Sequence, residues 1–422
     1  MRFGWIALAL GSALSFAWAF GCNEDDAADN SAAGCGDANG VPSRLMLTVN
    51  NTASSELVAF NLETRTVDGR MTFDGFIGTV SPFKASPSDP YLLEQATDLV
   101  ARLDAKEPWR AVATWSTKGL DEAPKGAAKY SDPSAIVVPS CGKGYIPRFT
   151  RNALYVIDTT DKDSGASQKA IDMSKLLHDE DKDGIVEMTT GVYVPSKGLV
   201  FILLGNVDIT KVAADGFTGL CANTNPTLIG IDPKTDTVVS LGGTGAGGGI
   251  ELEGYGPPLG VPLVYDKVHE RVIVVEGGCN VDNGGAAGAV TRRRIEAVDL
   301  VTKSVSTLAS LDKQGFPTSF LYIDDSHAAL TFAGSATAPG GTFLWNPQET
   351  SLGSEITGGI DYLATDGKGN IVGPRTVRTD GGASTIEIVS VSVDGGKITT
   401  LGSNPFTDNT GFLSGADVWP KR

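Results

Sequence analysis

The residues best placed to do chemistry stand together in DEDKDGIVE, from Asp179 to Glu187. Carboxylates alternate at Asp179, Asp181 and Asp183, Gly184 permits a sharp turn, and Glu187 supplies a fourth acid at the ninth position. Hard oxygens spaced this way on one short loop suit Ca2+, with a backbone carbonyl near Ile185 as a further donor. The loop departs from an EF-hand, because Thr190 stands at position twelve, where a bidentate glutamate is needed. An ion held there would stiffen the loop and take no part in catalysis. The same residues also fit a solvated acidic turn that caps a short helix formed by the preceding MSKLL segment.

Other patterns are weaker. GGTGAGGG contains G-x-G-x-x-G over Gly243–Gly248, yet no helix pattern follows to aim an N-terminus at a phosphate, so no nucleotide is expected, and neither haem nor flavin. His178, His269 and His327 fall in separate turns, which does not make a zinc triad, and there is no G-x-S-x-G nucleophile elbow. Arg292, Arg293 and Arg294 read as alternating residues of a strand that forms a salt-bridging face in an acidic chain. The formal charge of −16 repels nucleic-acid phosphates and anionic headgroups, which excludes both as bulk partners.

These residues need a frame, and the composition points to a β one. The 422 residues are 41% hydrophobic, enough for a large core, and the 52 Gly and 21 Pro, many in short clusters, belong to a turn-rich all-β chain. The first 21 residues stand apart. One arginine, Arg2, precedes the apolar FGWIALALGSALSFAWAFG, and the run ends at Gly21-Cys22, so it resembles a bacterial lipoprotein signal with Ala19 where leucine is usual. That resemblance implies cleavage before Cys22 and acylation of Cys22 as a stable membrane anchor. Residues 22–40 are acidic and small, with nothing to bury, as in a flexible tether. A folded domain is expected over residues 41–422.

Within that domain one unit recurs. GKGYIPRFTRNALYVIDTTD, Gly142 to Asp161, contains an alternating strand that ends at a turn-forming aspartate. Comparable strand, turn and strand units occur at Leu57–Val67, Leu99–Pro108, Leu228–Leu241, Ile295–Leu308, Thr342–Leu352 and Ile388–Leu401. Their turn residues Asn61, Asp104, Asp158, Asp232, Asp299, Asn346 and Ser392 lie 43 to 74 residues apart, bracketing the period of a four-stranded propeller blade. Ahead of each hairpin lies another strand pair, giving strands A to D, except that RLMLTVN begins the first blade directly at strand B. GFLSGADVWP, Gly411–Pro420, fits the missing A strand and would close the ring with both ends of the domain in one blade. A pair of β-sandwiches, or six or eight blades, are the competing arrangements.

GYIPRFTRNALYVIDTTD resembles a YVTN-type repeat, and the domain is similar to bacterial YVTN-like seven-bladed β-propellers. The resemblance implies a binding face and no shared catalytic residues. The long insertions fall in the B–C and D–A connections, which share one face, and binding is expected there. Cys221 and Cys279 lie in B–C insertions of adjacent blades and are expected to pair, leaving Cys35 to pair with Cys141 and tie the tether to the other face. Trp345 and Trp419 read as blade packing. The expected protein is a monomeric, non-enzymatic, lipid-anchored envelope lipoprotein of the outer membrane or periplasmic face, or else secreted, whose propeller binds a protein, peptide or glycan. The alternative is a periplasmic hydrolase or lactonase in which Ca2+ and channel-facing Glu187, Glu94 and Glu276 act in the central funnel.

Overall fold

Strands such as Leu45-Met46-Leu47 are apolar at every position, which a sheet with one wet face does not need and a sheet buried on both faces does. The structure is a computed structural model describing residues 42–419 apart from 52–53, 75–79, 85–89, 125–127, 162–167, 215–218, 335–339, 379–383 and 409–410. Residues 1–21 and 22–40, with Cys22 and Cys35, lie outside the described residues. Seven antiparallel four-stranded paths follow one another along the chain, and their strand order is that of a seven-bladed β-propeller. The ring closes as the sequence predicts. Phe412–Trp419 is the A strand of blade one, paired with Arg44–Asn50 from Arg44↔Trp419 to Asn50↔Phe412.

Alternate residues of each blade pack into different neighbours. Leu45 and Leu47 join Val372 and Ile388 of blade seven, whereas Met46 joins Leu92 and Ala101 of blade two. Seven apolar clusters arise in this way, one between each pair of adjacent blades. Trp345, 1% exposed, fills the cluster between blades five and six, and Trp419 the one between blades one and two. Both tryptophans are packing residues.

The outer C–D turns use the side chains that the repeat picked out. Asn61, Asp104, Asp158, Asp232, Asp299, Asn346 and Ser392 each accept a hydrogen bond from the backbone N–H two residues on. A turn closed by its own side chain is specified by local sequence.

Two elements differ from expectation. The blade-five insertion is not only a loop, because Cys279–Asn283 and Ala286–Thr291 form a separate hairpin between strands B and C. The expected MSKLL helix is a single 3-10 turn over Ser174–Leu176, and Asp172, not the acidic loop, accepts the N–H of Ser174.

Candidate functional site: the acidic loop and its disulfide-pinned platform

The acidic loop connects blade three to blade four, between Lys169–Asp172 and Met188–Val194. A turn closed by the Asp181 N–H on the His178 carbonyl leaves Asp179 at an exposed corner. Beyond it the chain folds inward. Gly184 adopts φ 76°, a left-handed conformation open to glycine without strain. Asn152, from the B–C loop of blade three, holds the bend by donating to the Gly184 carbonyl at 2.8 Å and accepting the Val186 N–H at 3.0 Å.

Asp181, Asp183 and Glu187 thereby converge, with one carboxylate oxygen from each lying within 4.8 Å of the others. Asp179, which the spacing placed with them, is not in the group. Asp208, from the blade-four insertion, is a fourth acid close enough to act on Asp181 and Glu187. Burial, then repulsion from Asp183, pushes the Asp181 carboxyl up to about 7. Burial, then Asp183 and Asp181, raises Glu187 well above the usual carboxylate range. Glu187 is 1% exposed; its Oε2 accepts the Val207 N–H at 2.9 Å, while Oε1 and Asp181 Oδ2 have no hydrogen-bond partner among the described residues. These are hard oxygen donors of the kind that hold Ca2+.

The loop grips the start of the blade-four insertion. Asp183 Oδ2 accepts the Ile209 N–H at 2.9 Å, and the Glu187 carbonyl accepts the Gly205 N–H at 2.8 Å. Further along, Cys221 and Cys279 form the expected disulfide and join the insertions of blades four and five. Cys221 N–H also donates to the Asn280 carbonyl, and Ala222, Tyr255 and Cys279 make a small core of their own. Cys141, in the A–B turn of blade three, is disulfide-bonded as well. Its expected partner, Cys35, lies outside the described residues.

The arginine run corrects the sequence reading. Arg292 precedes its strand and does not form a salt-bridging face. Its guanidinium donates to the carbonyls of Glu253, Ala222, Thr224 and Gly254 and to Asn225 Oδ1, and it lies 5.0 Å from the Tyr255 ring centre. Arg293 is buried and donates to the carbonyls of Gly277 and Gln314. Only Arg294 pairs as expected, with the exposed Glu253 at 3.0 Å. Periodicity missed this because the acceptors are carbonyls from two other connections.

The three glutamates of the funnel reading do not meet. The axial channel, about 1020 Å3, is lined chiefly by A-strand residues such as Gly191, Tyr193, Tyr265, Ser319, Tyr322 and Ser414, and none of the three belongs to its wall. Glu94 ends a B strand, one strand away from the axis, and bonds Thr97 at 2.8 Å. Glu276 is fully buried against Gly254, where a Cβ would fall 2.1 Å from its Cγ, and its carboxyl is raised by burial and then by Glu296. The groups that perturb Glu94, Glu187 and Glu276 are different in each case.

The exposed apolar side chains are unevenly shared between the two faces. Leu120, Tyr130, Ile209, Val212, Leu259, Val281, Phe316 and Phe412 lie in B–C or D–A connections or at the strand ends beside them. Of the exposed large hydrophobics among the described residues, only Val268 and Val301 occupy the opposite face.

No protein-family model and no curated protein matches the sequence. Solved structures do. Apo AztD from Citrobacter koseri aligns with TM-score 0.51 at 9% identity, over 90% of this chain and 98% of its own. A candidate 6-phosphogluconolactonase from Bacteroides uniformis aligns with TM-score 0.50 at 11% identity, over 85% and 95%. A quinoprotein alcohol dehydrogenase-like protein from Bacteroides thetaiotaomicron gives TM-score 0.50 at 13% identity, over 90% and 79%. At such identities the likeness is one of fold. The chain is a seven-bladed β-propeller.

Proposed function

We propose that the protein is a cell-envelope lipoprotein, anchored through Cys22, whose propeller is a non-enzymatic scaffold that docks a protein or peptide on the face of the B–C and D–A connections. The observation that carries this reading is the one-sided placement of exposed apolar side chains. Among the described residues eight lie on that face and two on the other, so an apolar patch of the kind that marks interaction sites would form on that side. Support also comes from the Cys221–Cys279 bond and the Arg292 contacts, which pre-organise the loops and so reduce the entropy lost on binding. The ring closes within blade one, so no blade is left for a second copy to complete, which favours a monomer.

The test is site-specific photo-crosslinking in the cells that produce the protein. A crosslinker replacing Val281 is expected to give an adduct of one defined mass, and one replacing Val301 to give none. Equal adducts from both positions, or none from Val281, would reject the docking face. Anchoring is read separately, as acyl mass on Cys22 that disappears in Cys22→Ala.

A further inference from the structure

The blade-four insertion carries Ile209 and Val212 of the apolar face, and its first residues hang from the acidic loop by two side-chain hydrogen bonds besides the backbone one at Gly205. The Val207 N–H donates to Glu187 Oε2 and the Ile209 N–H to Asp183 Oδ2, each at 2.9 Å. We infer that Asp181, Asp183 and Glu187 bind one Ca2+ and that this ion fixes the insertion, making the docking face calcium-dependent.

Three observations carry the inference. Glu187 is buried with Oε1 unpartnered among the described residues, and one of its carboxylate oxygens lies within 4.8 Å of an oxygen of Asp181 and of Asp183, so a polar group already stripped of water stands beside other acids. None of the three acids forms a salt bridge among the described residues, and the nearby Lys182 Nζ donates instead to the Asp179 carbonyl. A divalent cation would supply the counter-charge that the protein does not. The donors are oxygens alone, with no cysteine or histidine in the group, which selects a hard ion over zinc or copper. Flexible coordination favours Ca2+ over Mg2+, which keeps its own waters and near-octahedral geometry.

The coupling follows from how the oxygens are shared. In the ion-free protein Asp183 and Glu187 receive N–H groups of the insertion from within one cluster of acids, so they repel each other whenever both are ionised, which works against keeping those acceptors together. A bound cation removes the repulsion and leaves the N–H bonds in place. Residues 207–212 are therefore held by the ion through its own ligands. Regulation of docking in this way rests on the proposed docking face; the binding of Ca2+ does not.

The experiment titrates Ca2+ alone into chelator-treated full-length protein by calorimetry and follows amide exchange at Val207 and Ile209 in the same samples. Wild type is expected to bind one ion, with exchange at both amides slowed at least about tenfold. Asp181→Asn and Glu187→Gln are each expected to weaken binding by on the order of tenfold or more, and Asp179→Asn to leave it unchanged. Circular dichroism and melting in chelator confirm that each variant is folded, and the half-exposed Asp181 serves if the buried Glu187 variant is not. No heat with wild type up to millimolar Ca2+, or binding unaffected by both substitutions, would overturn the site. Binding without a change in exchange would overturn the coupling. If Ca2+ binds and slows exchange while Val281 captures nothing, the metal site stands and the docking face falls.

Discussion

Arg292 holds a backbone φ of 59°, a conformation in which a non-glycine residue is uncommon, and aims one guanidinium at backbone from two connections. Lysine could not replace it, since a point ammonium cannot reach five acceptors in a planar fork. Arg292→Lys should lower stability by about 2 kcal/mol through unsatisfied buried carbonyls, with faster amide exchange near Ala222 and Gly254. A midpoint shift without that local change would place its role elsewhere. Little of this was legible in the sequence, because TRRR shows charge but not the carbonyls that gather around it. The acidic loop was more legible. Spacing put Asp181, Asp183 and Glu187 on one loop, where the structure brings them together, but alternation ignores the turn that leaves Asp179 at an exposed corner. Asp208, 21 positions after Glu187, carried no local signal at all.

At the level of elements, the strands and turns were readable because their cause is local: apolar residues on both faces of a blade, and a side chain that closes its own turn. The hairpin Cys279–Asn283 with Ala286–Thr291 was not, since NGGAAGA has almost no β-branched or aromatic residues and is held by neighbours. Turns also join blades. His327 bonds Asp324 within its own turn at 2.8 Å and reaches Asp394 of blade seven at 3.2 Å. The bond to Asp324 leads in raising the imidazole above its ordinary 6.5, with Asp394 adding to it. A raised folded pKa means stability that is fully present below about 6.5 and lost as pH rises through the higher folded value. Melts of wild type and His327→Gln should therefore differ at pH 6 and converge by about pH 9. A gap that persists at high pH would assign the effect to packing. The gain is modest, since the side chain is a third exposed.

For the molecule as a whole, the blade count followed from a repeat, and closure by the last strand followed from the one blade that lacked a partner. What no repeat could reveal was the uneven distribution of exposed apolar residues between faces, because the eight on the loop face among the described residues come from six separate connections or their edges. The closing joint has a mechanical side too. Arg44 and Trp419 sit at the same end of two antiparallel strands, with the Ser43 N–H donating to the Trp419 carbonyl at 3.1 Å. Tension applied across these two residues strains their hydrogen bonds singly, from that end, like a zipper. Tension between Asn50 and Trp419 would load the same ladder in shear. Single-molecule pulling should release blade one at lower force in the first geometry than in the second, and equal forces would show that the joint is held by something other than this ladder. The strand that completes blade one is thus the latch through which a pull on its ends would open the ring.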